Sequence, residues 1–181
     1  MKKKQNAFTL IELIVTMVIL AILAAIAAPS LAAMVANNRS ASLGREIAAG
    51  INLARAEAIK RGGRVSICVS SNGASCAAAG TSWSAGWMIF VDSTTSAIGA
   101  PVVAIPIQHR QGDSRTSVTV VKGSTAQSYL RFTSMGMLAR AATDTGLIVI
   151  TSQYSGCTDN NASRLEVGLG GRISQSKVNC S

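Results

Sequence analysis

From Phe8 to Ala28 the chain is apolar at almost every position, 21 residues carrying a single formal charge, Glu12. As a helix this run is about 31 Å long, enough to cross a bilayer. Lys2, Lys3 and Lys4 precede it, and the next basic residues are Arg39 and Arg45, which predicts a cytoplasmic N-terminus and an exported remainder. The apolar residues then narrow to one face. Leu31, Met34, Val35, Leu43, Ile47, Ile51, Leu53, Ala54, Ala58 and Ile59 recur at spacings of three, four and seven, the period of an amphipathic helix. A single helix from about Phe8 to Lys60, near 80 Å long, is predicted, ending before the breaker pair Gly62 and Gly63. Pro29 removes a backbone donor inside it and predicts a kink or a melted turn, with weaker loosening at Gly44 and Gly50.

After Gly63 the pattern changes to short runs rich in Val, Ile, Thr and Trp, separated by clusters of Gly, Ser, Asn and Asp. Strands are predicted at Val65 to Ser70, Gly86 to Asp92, Val102 to Ile107, Ser117 to Val121, Tyr129 to Thr133, Gly146 to Thr151, Arg164 to Gly168 and Gly171 to Ser174. The fold class is therefore α+β, a long N-terminal helix, transmembrane and then amphipathic, packed on a C-terminal antiparallel β-sheet or sandwich body. The stretches Asn72 to Ser84 and Ser93 to Ala100 read as exposed, mobile loops.

Composition agrees with one folded body. The 181 residues are 48% hydrophobic but only 4% aromatic, too apolar for a disordered chain. The formal charge is +9, and residues 36–181 hold 14 basic residues against 7 acidic ones, so the exported part is itself basic and an acidic partner or surface is expected. Cys68, Cys76, Cys157 and Cys180 all fall in that part, where thiols are oxidised. Three pairings are possible. The sequence-local one, Cys68 with Cys76 and Cys157 with Cys180, is favoured and would contribute about 3 kcal/mol per bond. Zinc needs tighter ligand spacing, and the only His, His109, lies far from both pairs.

The lone Glu12 demands an explanation, because an ionised acid in lipid costs several kcal/mol unless it is paired. Its surroundings, Lys4-Gln5-Asn6-Ala7-Phe8-Thr9-Leu10-Ile11-Glu12-Leu13, resemble the processing site of type IV pilins and type II secretion pseudopilins. The resemblance implies that a prepilin peptidase cuts between Ala7 and Phe8 and methylates the Phe8 amine, leaving a mature chain of net charge +6. Members of that family usually have Gly where this chain has Ala7. Glu12 and Pro29 stand at the family's spacings from Phe8. In a bundle of such helices the Glu12 carboxylate would meet the Phe8 amine of an adjacent subunit, a pairing that selects register more than it adds stability. Further along, Asn37-Asn38-Arg39, Leu53 to Arg61, Val65-Ser66-Ile67-Cys68, Cys76, Trp83-Ser84-Ala85-Gly86-Trp87 through Asp92, and Gly171-Arg172 resemble the GspH/FimT group of minor pilins and pseudopilins. The Asn-Asn-Arg and Trp-x-x-Gly-Trp stretches are similar to its type IV pilus branch.

The organisation implied is a leader at 1–7, a membrane and assembly helix at 8–28, its amphipathic half at 29–61 and a periplasmic β-rich domain at 62–181. The function implied is a minor type IV pilin that assembles through its helix into the pilus, in a tip or priming complex, with DNA uptake as an added role. The alternatives are a minor pseudopilin of a type II secretion system and, more distantly, a periplasmic binding protein whose ordinary signal peptide is cut near Ala25-Ile26-Ala27. The partners implied are other pilins or pseudopilins, the prepilin peptidase, the inner-membrane assembly platform, membrane lipid before assembly, and DNA. Some members of the group carry a basic Gly-Arg-x-Arg motif for DNA. Here the stretch reads Gly171-Arg172-Ile173-Ser174, and Arg164, Arg172 and Lys177 are the candidate contacts. Trp87 reads as core, while Trp83 is ambiguous between core and stacking platform. Asp92 and Asp113 lack the clustered oxygens that calcium needs. No metal or cofactor is expected, and no enzyme: His109 has neither nucleophile nor orienting partner in any known spacing and reads as a loop or edge-strand histidine.

Overall fold

A computed structural model describes residues 9–96, 99–139 and 146–181. Its first element, α1, is a single helix over Leu10–Arg61. Thr9 caps its start, the hydroxyl accepting from the Glu12 amide at 3.3 Å. Gly62 ends it in the left-handed conformation at φ 61°, its N–H directed to the carbonyls of Ala58 and Ile59. Lys60 and Arg61 occupy the last turn, where cations complement the helix dipole. The melted turn predicted at Pro29 is absent, since α1 runs through it without a break. A proline forfeits one backbone bond, and the strong helix formers flanking it, Ala27, Ala28 and Leu31 to Ala33, hold the remainder.

Among the described residues nine strands follow: β1 Val65–Val69, β2 Gly86–Asp92, β3 Val103–Gln111, β4 Thr116–Lys122, β5 Thr125–Ala126, β6 Tyr129–Phe132, β7 Ile148–Tyr154, β8 Ala162–Val167 and β9 Ile173–Val178. They form two antiparallel sheets, ordered β3-β2-β1-β6 and β5-β4-β7-β8-β9. The eight predicted strands are all present. Three differ appreciably at their ends: β3 continues to Gln111, β7 to Tyr154 and β9 to Val178. These polar extensions carry no apolar alternation of their own and are held by pairing, Gln111 opposite Gly86 and Lys177 opposite Ser163. The two-residue β5 was not predicted and exists only as the return of the β4 hairpin.

The main core forms where α1 meets the inner faces of both sheets. Leu43, Ile47, Ile51, Ala54 and Ala58 from the helix pack with Val65, Ile67, Trp87, Ile89, Leu130 and Phe132 of one sheet and Val118, Ile150 and Leu165 of the other. The buried helix face begins at Ala36. Leu31, Met34 and Val35, predicted to belong to it, are exposed, as is Ile59 at the far end. The periodicity is continuous along α1, but the sheets cover only part of it. Gly44 and Gly50 do not loosen the helix: both are buried contacts. Trp83 is also buried, in a short 3-10 turn, its indole N–H donating to the Gln127 carbonyl at 2.7 Å.

A second, smaller core lies on the outer face of the first sheet, around Cys68, Met88 and Phe90. Asp92 and Arg131 form a fully buried ion pair there at 2.7 Å, both side chains 0% exposed. Ser66 donates to the same carboxylate oxygen at 2.6 Å, and the amides of Thr94 and Val102 donate to the other, each at 3.0 Å. Arg131 also donates to the carbonyls of Ser96 and Gly99, and Arg64 to that of Thr94. The β2–β3 connection, predicted to be mobile, is thus fastened to the sheet through Asp92; residues 97–98 of it lie outside the described residues. Burial pushes the Asp92 carboxyl up, and the hydrogen bonds from Ser66, the two backbone amides and Arg131 outweigh that and hold it below the ordinary carboxylate value of 3.8. A depressed folded-state value means that its stabilising contribution is complete above pH 3.8 and is lost as pH falls through the lower folded value. Arg131→Met, which leaves the Asp92 charge buried and unpaired, is expected to cost about 3–5 kcal/mol in denaturant unfolding at pH 7. Unfolding of the full chain in detergent should show the parent losing stability below that carboxylate range and Asp92→Asn losing less of it.

Candidate assembly stalk and its junction with the body

Residues 10–35 of α1 make the stalk. Leu10, Ile11, Leu13, Ile14, Met17, Leu20, Leu23 and Ile26 are all exposed, and an 18-residue window reaches a mean hydropathy of 2.8 with none of it buried. Such a surface is stable only in lipid or against other apolar helices. Glu12 stands three residues after the cap, in the first turn. There the positive end of the helix dipole offsets part of the cost of a carboxylate, a contribution that reading Glu12 as an isolated acid missed although Thr-x-x-Glu is legible in the sequence. The expected cleavage position, Ala7 and Phe8, lies outside the described residues, as do the leader lysines.

The body grips the stalk's continuation through small and polar residues. Asn37 forms a two-way contact with Thr158, accepting from its amide at 2.9 Å and donating to its hydroxyl at 3.3 Å. Arg39 donates to the Tyr154 hydroxyl at 2.6 Å and lies 5.0 Å from the ring centre, with Arg115 5.2 Å from the same ring. Ser40 accepts from the Tyr154 amide at 2.8 Å. One turn on, Gly44 lets the helix backbone touch β8: a Cβ there would fall inside the Ser163 side chain. The Cys157–Cys180 disulfide ties the C-terminal tail to the loop that Asn37 holds, and Cys68–Cys76 closes the β1–β2 connection. Asn37 and Arg39 are therefore junction residues, a role that spacing alone did not reveal.

Further along the helix Arg55 donates to the carbonyl of Gly136 at 3.1 Å and points a second nitrogen at that of Gly171 at 3.5 Å. Gly171, at φ 73°, is wedged against both: a Cβ would strike the Gly136 carbonyl oxygen and Arg55. The glycine of the Gly171-Arg172 motif thus has a packing reason. Of the three candidate DNA contacts, Arg164 on β8 is paired with Glu166 at 3.0 Å, Lys177 on β9 reaches the Asn161 side chain at 3.3 Å, and Arg172 is exposed in the turn between those strands. Lys177 is registered with Ser163, on the helix-facing side of the sheet, whereas Arg164 is registered with Ser176 on the other. Strand alternation places the two on opposite faces, so the expected basic triad is not one surface. His109 sits on the edge strand β3, a ring nitrogen 3.3 Å from the Ser70 carbonyl. Asp113 caps the turn at Arg115, and that contact, chiefly the backbone hydrogen bond, lowers its carboxyl from the ordinary value. Among the described residues no group of three or more His, Cys, Asp or Glu could hold a metal.

An apolar stalk opening on Thr-x-x-Glu, continuous with a helix embedded in a two-sheet body, defines a pilin-type subunit. Residues 2–28 match the model of the prokaryotic N-terminal methylation motif, and residues 43–171 match that of the type II transport protein GspH. The chain belongs to the GspH family, the GspH/FimT type of minor pilins and pseudopilins, which are structural subunits and not enzymes. Two crystal forms of the type IV minor pilin FimU from Pseudomonas aeruginosa strain PAO1 share its fold. One has a TM-score of 0.55 at 19% identity, covering 77% of this chain and 89% of that one. The other has 0.53 at 21%, covering 75% and 90%. No curated protein sequence matches the chain significantly. The methylation motif and the GspH match stand against the alternative of a binding protein with an ordinary signal peptide.

The two glycines of the junction should behave oppositely. Gly44→Ala is expected to lower stability by roughly 1–2 kcal/mol, the overlap with Ser163 outweighing the gain in helix propensity. At Gly50 a Cβ would meet Ile89 and Trp87 at an ordinary 3.7 Å, so Gly50→Ala should be neutral or stabilise by up to about 1 kcal/mol. Denaturant unfolding of the two variants checks both signs.

Proposed function

We propose that this chain is a minor type IV pilin, made with a leader at 1–7 and anchored in the inner membrane by 8–28, with the continuation of the helix at 29–61 carrying a periplasmic domain at 62–181. Prepilin peptidase cuts between Ala7 and Phe8 and methylates the new amine, and the assembly platform then draws the subunit from lipid into the filament, in its tip or priming complex. The observation that carries this reading is the stalk: a helix exposed along its whole apolar half, with one carboxylate in its first turn and a methylation motif around it. In a bundle of such helices Glu12 has no water. The Phe8 amine of the adjacent subunit neutralises it only in the correct register, so a mismatched subunit leaves both charges unpaired. Pro29, at the end of the membrane segment, gives the helix a site that can bend on leaving lipid.

A pseudopilin of a type II secretion system would use the same stalk and differ only in its partners. DNA contact through Arg164, Arg172 and Lys177 receives no support from their placement, and the structural role stands without it.

Mass spectrometry of the mature N-terminus should find methylated Phe8; a start near Ala28 would refute the reading. Glu12→Gln should be processed normally and recovered in sheared filaments at least tenfold less than the parent. Equal incorporation would remove the charge-pairing mechanism. Recovery with pilus components, as against secretion components, separates the two branches.

A further inference from the structure

Two charges mark two levels on α1. No residue between Glu12 and Arg39 carries a formal charge, and the two stand 27 residues apart, about 40 Å along the helix. A bilayer measured across its headgroups is about 40–45 Å thick, with about 30 Å of hydrocarbon inside. Leu31, Met34 and Val35 carry the exposed apolar surface seven residues past Ala28, up to the first buried position, Ala36, with only Ser30 and Pro29 to interrupt it. With hydrocarbon confined to 8–28, Glu12 would lie about 6 Å inside it while those three apolar side chains stood in water. With the periplasmic edge of the hydrocarbon at Val35, Arg39 is about 6 Å beyond it, at the depth of lipid phosphate. The cytoplasmic edge then falls near Val15, and Glu12 lies among the headgroups on that side.

The body meets the level of Arg39 with two turns, 113–115 and 155–160. The Ser155 amide donates to the Arg115 carbonyl at 2.7 Å, and a Cβ on Gly156 would lie 3.8 Å from that of Ala36. Apart from the disulfide-bonded Cys157, neither turn carries an apolar side chain, so this edge has nothing to insert into oil. Its charges are of both signs. Asp113 is held by Arg115 at 3.3 Å, and Asp159 is exposed. Arg39 is exposed as well, and among the described residues no carboxylate pairs with it; its partner is the Tyr154 hydroxyl. Arginine and tyrosine at the end of a membrane helix are headgroup-level anchors, and a guanidinium fork fits a phosphate oxygen pair.

We propose that before assembly Arg39 and the two turns beside it rest on the periplasmic headgroup layer of the membrane, the guanidinium binding the phosphate and Asp159 the ammonium of zwitterionic phospholipids. This rests on the assembly reading above and extends its anchor by seven residues, to Val35. The depth of the helix is then fixed at both ends, Glu12 waits at the cytoplasmic surface instead of in oil, and drawing the subunit into a filament must first lift the body off lipid. Cations and acids balance on this edge, Arg39 and Arg115 against Asp113 and Asp159, which suits headgroups carrying both signs and gives an anionic polymer no net charge to bind.

The test reconstitutes the full chain in bilayers of phosphatidylethanolamine and phosphatidylcholine. A fluorescent non-canonical residue is placed in turn at Val18, Ala25, Val35 and Ser114, and quenchers are attached to the lipid headgroup, the upper acyl chain or its end. The chain-end quencher should act most at position 25, the upper-chain quencher at 35 and the headgroup quencher at 114. Arg39→Gln should reduce the quenching at 114 at least threefold, and Arg39→Lys should retain it. Because Arg39→Gln also removes the hydrogen bond to Tyr154, the depth profile of the parent is a separate arm that needs no variant. Deepest quenching at position 18, with 35 and 114 reached only by an aqueous quencher, would overturn the headgroup contact and leave the assembly reading intact. Quenching at 114 that is indifferent to Arg39→Gln, or that arises only when phosphatidylglycerol is added, would overturn the assignment to Arg39 and zwitterionic lipid. No acyl-chain quenching at 18, 25 or 35 would overturn both readings.

Discussion

Half of the 52-residue helix has no partner within its own chain, and this one deficit organises the molecule. A helix of that hydropathy is insoluble by itself, so the body never serves as its cover and must hold the other half firmly while leaving the first half bare. Residues 10–35 present apolar side chains all round, whereas residues 36–58 present a narrow buried stripe, and the transition falls within one turn at Ala36. The family's use of such a helix, first in lipid and then in a bundle, follows from a surface that both environments satisfy equally and water does not. In the assembly proposed above, the single carboxylate is what distinguishes the two, because register means nothing to lipid.

The grip on the second half is made by subtraction more than by bulk. Ser40, Gly44, Gly50, Ala54 and Ala58 bring the helix backbone close to the sheets, with Leu43, Ile47 and Ile51 filling the space between. Close approach leaves little tolerance, as the Gly44 contact with Ser163 shows. Long polar side chains then fasten each end of the contact: Asn37 and Arg39 to the loop and strand near the stalk, Arg55 to two glycine carbonyls near the helix terminus. The fully buried Asp92–Arg131 pair does a different task, fixing a long connection over the outer face of a sheet whose central strand β1 is buried on both sides.

Much of this was legible beforehand. The change from continuous apolar residues to a period near 3.6, and then to short β-branched runs, located the helix and eight of the nine strands among the described residues, because those patterns suit apolar surroundings on all faces, on one face and within a sheet. Gly62 and Gly63 announced the end of the helix through local backbone chemistry, whereas the cap at Thr9 was legible in Thr-x-x-Glu and went unread. Asp92 was visible only as a loop acid, and Asn37, Arg39 and Arg55 only as motif letters. Their partners, Arg131, Thr158, Tyr154, Gly136 and Gly171, lie 39 to 121 residues away in the chain.

By itself the sequence determined the stalk, the processing chemistry expected of it and the class of the body, since each depends on neighbours within a few turns of the chain. Tertiary structure alone decided where the helix becomes buried, that Gly44 is a contact and not a weakness, and that Arg164 and Lys177 face opposite ways. Those outcomes depend on strand register, and a shift of one residue in register moves a side chain from one face of a sheet to the other.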